Sequence, residues 1–168
     1  MLQVMQASLG RKGDYSVRAV LDLARHSGDR RKAREIAGEM DIPLRYLTQI
    51  LANLVQHEVL TAEAGPAGGY LLAREPEDIT LLEVVEAAEG PIRLEQCVLR
   101  GGHCSWEESC PVHIPWARAQ DALAAQLAAT SFAALARSAA EIDAGVHELP
   151  PDAPRHAIPT PRRKETKS

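Results

Sequence analysis

All the thiols of this chain sit in one short stretch, Cys97-Val98-Leu99-Arg100-Gly101-Gly102-His103-Cys104-Ser105-Trp106-Glu107-Glu108-Ser109-Cys110-Pro111-Val112-His113. Gly90-Pro91 precedes it and Ile114-Pro115 follows, so turn-forming residues bound it on both sides. Cys97, Cys104 and Cys110 in one Gly-containing loop have the make-up of a ligand set, because a soft metal or an iron–sulfur cluster needs thiolates gathered around one centre. The same spacing permits tetrahedral zinc with Cys₃His ligation. Metal-free thiols forming a reversible disulfide are the third option. Neither a Cys-x-x-Cys pair nor a paired acid–base constellation is present, so the chain is not expected to be an enzyme.

Elements must exist to hold that loop. A chain of 168 residues suits one domain, or a small domain with an appendage. Aromatics are only 4% of the residues, so Ala and Leu must fill the core, which favours close-packed helices. No apolar run reaches the length of a membrane span, and Met1 to Lys12 lacks the apolar core of a signal peptide. With an odd number of cysteines, a reducing cytoplasm is the expected location. The net charge of −4 does not advertise nucleic-acid binding, but residues 11–60 carry nine Lys/Arg against seven Asp/Glu. A locally positive segment in an acidic chain is consistent with a DNA-facing surface.

Residues 1–10 read as a loose leader. From Asp14, Val17, Val20, Leu21 and Ala24 recur at helical spacing, and the helix should end near Ser27-Gly28. A basic cluster of Arg30, Arg31, Lys32 and Arg34 follows, then a short helix from Ala33 to Met40 with Ile36 and Met40 as anchors. Asp41-Ile42-Pro43 breaks the chain before a longer helix from Leu44 to about His57. Its apolar stripe is Leu47, Ile50, Leu51 and Leu54, with Arg45, Thr48 and Gln49 opposite. Two helices joined by a tight turn, the second presenting polar N-terminal residues, make the helix-turn-helix layout, although an ordinary helical hairpin shows the same pattern. Val59 to Ala62 and Tyr70 to Leu72 read as strands around Gly65-Pro66-Ala67-Gly68-Gly69, a hairpin placed where a winged helix carries its wing.

Thr80 is positioned to cap a helix over Leu81 to Ala88, with Leu82, Val85 and Ala88 inward. After the cysteine loop, the pattern predicts one long helix from about Trp116 to Arg137 or beyond. Trp116, Leu123, Leu127, Phe132 and Leu135 form its ridge. The expected partner of that ridge is the same helix of a second subunit, which suits a DNA reader of two half-sites. From Leu149 the chain is rich in proline and basic residues and is expected not to fold. The resulting division is a leader (1–10), a winged helix-turn-helix domain (11–90), the cysteine loop (91–113), a dimerisation helix (114–145) and a tail (146–168). The expected fold class is mainly α with a small β-hairpin wing.

Three stretches carry a resemblance. They are Lys12-Gly13-Asp14-Tyr15-Ser16-Val17-Arg18-Ala19, Ile42-Pro43-Leu44-Arg45-Tyr46-Leu47, and Gly65-Pro66-Ala67-Gly68-Gly69-Tyr70-Leu71-Leu72-Ala73, joined by the three cysteines. In these the chain resembles the Rrf-type (IscR/NsrR-like) family of iron–sulfur winged-helix transcriptional regulators. The resemblance implies a homodimer bound to a double-stranded DNA operator, with no membrane role. Each subunit would hold a 2Fe–2S or 4Fe–4S cluster whose state governs repression or activation; a zinc-binding regulator or interaction module without cluster sensing is the alternative. It implies Cys97, Cys104 and Cys110 as ligands and His113 as the fourth, at the position of the histidine ligand in IscR-like members. Asp14 is the alternative fourth ligand, matching a carboxylate that NsrR-like members contribute from the other subunit, and His103 is a third choice.

The chain also departs from the family pattern. The spacing is C-x6-C-x5-C where cluster-binding relatives have C-x5-C-x5-C, an insertion that a Gly-Gly loop absorbs easily. Ala64 replaces an Arg before the wing, and Thr48 replaces an acidic residue of the recognition helix, so a different operator is expected. For DNA contact, Arg45 suits a guanine edge, Gln49 an adenine and Thr48 a thymine methyl or phosphate, while Tyr46 packs or touches phosphate. Arg31 and Lys32 are the candidates for flanking phosphates.

Overall fold

A computed structural model describes residues 9–92 and 110–146. Its elements run α1 (Arg11–Arg25), α2 (Ala33–Met40), α3 (Leu44–Gln56), β1 (Leu60–Glu63), β2 (Gly69–Leu72), α4 (Leu81–Glu89), α5 (His113–Ala128) and α6 (Phe132–Asp143). The mainly helical class with one hairpin is as the sequence pattern requires.

Helix α1 runs through the middle and packs against α2, α3, α4 and α6. Its buried face is Gly13, Ser16, Ala19, Val20, Leu23 and Ala24, with Asp22 among them. This face is rotated from the expected stripe, for Val17 and Leu21 are only half-buried at its margin. The small residues at its start let α4 come close. Gly10 caps α1 without a side-chain hydrogen bond, and Glu89, the last residue of α4, accepts the Gly13 N–H at 2.7 Å. A carboxylate there satisfies one of the helix's orphan donors and sits at the positive end of its dipole. A Cβ on Gly13 would lie 2.7 Å from that carboxylate oxygen, so the cap depends on the glycine. Gly13→Ala and Glu89→Ala should each cost about 0.5–1 kcal/mol in urea unfolding. Because both remove one contact, the double variant should lose no more than either alone.

The helix-turn-helix forms for local reasons. Helix α2 ends where Asp41 adopts the left-handed conformation (φ 53°), and the Ile42 N–H bonds back to the Ala37 carbonyl at 3.0 Å. Ile42 drops into the core and Pro43 starts α3 with its fixed φ. Leu47, Ile50, Leu51 and Leu54 are the buried residues of α3, as the 3.6-residue period predicts. The hairpin then pairs antiparallel in the register Leu60↔Leu72, Thr61↔Leu71, Ala62↔Tyr70 and Glu63↔Gly69.

Helix α4 is capped by the Thr80 hydroxyl, which accepts the Glu83 N–H at 3.2 Å. It buries Val84, Val85, Ala87 and Ala88, while Leu82 stays half-buried.

The single helix expected from Trp116 to Arg137 is a correction: it is two, broken at Ala129–Ser131. The Ser131 hydroxyl accepts the Ala134 N–H at 3.2 Å and starts α6. The break is stabilised by the segment before α4. Leu81 N–H donates to the Thr130 carbonyl at 2.8 Å, Phe132 N–H to Ile79 at 2.9 Å, and Ala133 N–H to Pro76 at 3.0 Å. These bonds take the place of the helical ones lost at the break. Phe132, expected on a ridge facing a second subunit, is instead fully buried in its own core, with Leu135 packed against that core. Helix α6 lies on α1, where Arg25 pairs with Asp143. Helix α5 packs on α4 but buries no residue fully, leaving Ile114 and Leu123 exposed. Among the described residues, no helix is long and apolar enough to cross a membrane.

Candidate nucleic-acid interface and cysteine-loop residues

The α3 side chains opposite the buried stripe form one polar face. Arg45, Tyr46, Thr48 and Gln49 are all exposed there. The Thr48 hydroxyl donates to the Arg45 carbonyl at 3.0 Å, a local bond on the exposed helix surface. Arg45 and Gln49 make no side-chain hydrogen bond among the described residues, so their donors remain available to a ligand. Burial of four aliphatic side chains on one face holds the other face in place, since rotating α3 would expose them.

The hairpin stands directly after α3, and its glycines explain the Gly-Gly-Tyr sequence. A Cβ on Gly68 would collide with the Glu63 carbonyl, and one on Gly69 would sit 2.8 Å from the Arg31 carbonyl. The latter closeness reflects a second pairing. Arg31 N–H donates to the Tyr70 carbonyl at 3.0 Å and Tyr70 N–H to the Arg31 carbonyl at 2.9 Å, so residue 31 adds a one-residue bridge to the hairpin.

The basic cluster divides in role. Lys32 is exposed at the start of α2, where its N–H donates to Glu35 Oε2 at 2.7 Å. Arg30 pairs with Glu63 of β1. Arg31 points inward: Nε and one terminal nitrogen reach the two oxygens of Asp22 at 3.0 and 3.1 Å. The Asp22 side chain is 0% exposed and that of Arg31 18%. The hydrogen bonds to Asp22 push the Arg31 pKa above its ordinary value, outweighing the opposite pull of burial. The guanidinium expected on phosphate is held by Asp22 through two of its three nitrogens. Asp22 escaped notice in the sequence, although a carboxylate three residues after Ala19 and one before Leu23 falls on an apolar face, which signals a buried pair.

Of the proposed metal ligands, Cys97 and Cys104 lie outside the described residues, as does His103. Cys110 is half-buried and outside any disulfide among the described residues. Its carbonyl accepts the His113 N–H at 3.3 Å, so the two residues share the turn that opens α5, and His113 is exposed. A thiol and an imidazole on one turn fit a soft or borderline metal. Asp14 lies at the far end of the chain's described part, in the first turn of α1, where Arg18 Nε binds its carboxylate at 2.9 Å. Among the described residues, no three His, Cys, Asp or Glu side chains converge as a metal site.

A helix-turn-helix whose second helix shows a polar face, followed at once by a hairpin, defines a winged-helix DNA-binding regulator. The family model for Rrf2, described as an iron-dependent transcriptional regulator, matches residues 9–138. The chain belongs to the Rrf2 family and is a DNA-binding transcriptional regulator rather than an enzyme. It is 36% identical over 106 residues to the HTH-type transcriptional regulator IscR of Sodalis glossinidius (strain morsitans), covering 62% of this chain and 64% of that one. To IscR of Escherichia coli O9:H4 (strain HS) it is 30% identical over 148 residues, covering 88% of this chain and 91% of that relative. Among solved structures it is similar to CymR (YrzC), the global cysteine regulator of B. subtilis. That match has a TM-score of 0.66 and 27% identity, covering 82% of this chain and 98% of CymR.

Proposed function

We propose that this regulator is a cytoplasmic homodimer that reads operator DNA with α3 and whose affinity is controlled by an iron–sulfur cluster. The observation that carries the reading is the partition of α3, with Leu47, Ile50, Leu51 and Leu54 inside and Arg45, Tyr46, Thr48 and Gln49 outside. Arg45 reads a guanine edge, Gln49 an adenine and Thr48 a thymine methyl or a phosphate, while Tyr46 and Lys32 touch the backbone. Dimerisation is supported by α5, where Ile114 and Leu123 are exposed apolar side chains.

Cys97, Cys104 and Cys110 ligate the cluster, with His113 as the fourth ligand ahead of Asp14. The iron-dependent character of the family supports a metal, and the shared turn of Cys110 and His113 supports the fourth position. Asp14 is second because Arg18 already binds it. When bound, a cluster supplies a centre that changes with redox state, nitric oxide or cluster supply. Occupation of the operator then represses or activates transcription according to the state of that centre. The same donor set suits zinc in a regulator that does not sense.

Anaerobically purified protein is expected to be coloured, with visible and Mössbauer spectra giving the nuclearity. Cys104→Ala should be colourless and altered in operator affinity. Colour retained in that variant would remove Cys104 from the ligand set. Colourless wild-type protein holding one zinc per chain after iron-replete anaerobic purification would replace the cluster by the structural metal.

A further inference from the structure

The hairpin has two strands of four residues each, too little to hold a fixed position alone. Its base is closed where Ala73 N–H donates to the Val59 carbonyl at 3.0 Å, and joined to α3 where Val59 N–H donates to the Leu54 carbonyl at 3.0 Å. Its second strand is fastened at Tyr70, by the two backbone bonds to Arg31. Arg31 is in turn fastened to α1 by both oxygens of Asp22. Asp22 belongs to the buried face of the central helix, so this chain of bonds runs from the core to the hairpin without a break.

We propose that Arg31 is a positioning residue for DNA binding: clamped on buried Asp22 and paired through its backbone with Tyr70, it fixes the hairpin against the α3 face and sets operator affinity without touching DNA. The chemistry requires arginine. A planar fork satisfies both carboxylate oxygens at once and fixes its own direction, whereas a lysine ammonium supplies a point charge with no preferred orientation. Asp22 requires the cation, because an unpaired carboxylate at this depth is strongly disfavoured. The other group facing Asp22 is His26, whose Nδ1 lies 2.8 Å from the Asp22 carbonyl and 3.9 Å from Oδ1. Neighbouring Arg30 is engaged elsewhere, pairing with Glu63 at the hairpin's exposed edge. Gly69 completes the arrangement by letting the two backbones approach at Arg31.

The proposal rests on α3 and the hairpin meeting DNA together, so the test begins with a duplex selected by the full-length wild-type protein from a random-sequence library. Binding of that duplex is measured for Arg31→Lys, Asp22→Asn and the double variant across a range of salt, with hydroxyl-radical footprints and urea unfolding of each. Arg31→Lys keeps a cation beside Asp22 and tests geometry in a folded chain. We expect Asp22→Asn and Arg31→Lys each to weaken binding at least tenfold, and the double variant to be no worse than the weaker single. Footprints should lose protection beside the bases under α3 while keeping it at those bases, and the salt slope should stay that of wild type. Asp22→Asn or Arg31→Lys binding within twofold of wild type would overturn the proposal. So would an Arg31→Gln variant whose salt slope falls by about one while Asp22→Asn binds normally, since that marks a direct phosphate contact. A wild-type protein that enriches no duplex would instead overturn the DNA reading of α3, and the clamp's role with it.

Discussion

Phe132→Ala is expected to destabilise the subunit by about 3–5 kcal/mol, the usual range for emptying a buried aromatic site. Among the described residues, Phe132 is the largest fully buried side chain. It stands at the first position of α6, just after Ser131 has capped that helix, and its own N–H is tied to Ile79. Collapse around the missing ring is therefore resisted by the backbone bonds on both sides, which places the cost toward the upper end. The variant also separates two arrangements of residues 113–143. With the break at Ala129–Ser131, the lost stability belongs to each subunit, and the urea midpoint shifts equally at all protein concentrations. A continuous helix carrying Phe132 toward a second subunit would instead show a concentration-dependent loss of dimer with the subunit core intact.

Gly68→Ala should damage function more than stability. Its Cβ would overlap the Glu63 carbonyl and lie 2.8 Å from Ala64 C, and both are backbone atoms fixed by the pairing of Glu63 with Gly69. The hairpin must change its turn or its register to admit a methyl group. A register slip by one residue would turn every side chain of the strand to the opposite face. The hairpin carries few core residues, so global unfolding should change by only about 1–2 kcal/mol. Operator affinity should fall at least tenfold, or about 1.4 kcal/mol or more. Fluorescence anisotropy with a selected duplex, run beside urea unfolding, distinguishes this from general destabilisation. An affinity unchanged in a folded variant would show that the hairpin takes no part in binding.

The parts of the fold that were legible in the sequence are those specified by local pattern. Leu47, Ile50, Leu51 and Leu54 repeat at helical spacing, and Arg45, Thr48 and Gln49 fall opposite them, so both faces of α3 could be assigned from spacing, while Tyr46, whose aromatic ring suits packing or phosphate, joins the exposed face. Turn chemistry at Asp41-Ile42-Pro43 and Gly65 to Gly69 marked the breaks for similar reasons. What escaped was decided by distant partners. Thr130-Ser131 before Phe132 is a helix-start signal, but the alanines on either side favour continuous helix, and only the bonds to residues 76–81 decide the matter. Arg31 belongs to a basic run, and nothing local distinguishes it from Arg30 or Lys32; the buried Asp22, nine residues earlier, does. Glu89 falls one residue beyond the helix expected over Leu81 to Ala88, yet it ends α4 and caps a helix 76 residues away. For the candidate metal site, spacing named the donors, and of those only Cys110, His113 and Asp14 fall within the described residues.

The break at Ala129–Ser131 has a mechanical side. Helix α5, of sixteen residues, is a rod about 24 Å long, with Cys110 and His113 at one end. Its other end is pinned by the 2.8 Å bond from Leu81 to Thr130 and the 2.9 Å bond from Phe132 to Ile79. Residues 76–81, which make that pin, run from the stretch after the hairpin's end at Leu72 to the first residue of α4. A tilt imposed at the cysteine end has two outlets: bending at Ala129–Ser131, or traction on the stretch that leads out of the hairpin. The buried Phe132 makes the first outlet stiff, so such a tilt would be carried through α5 to the base of the wing.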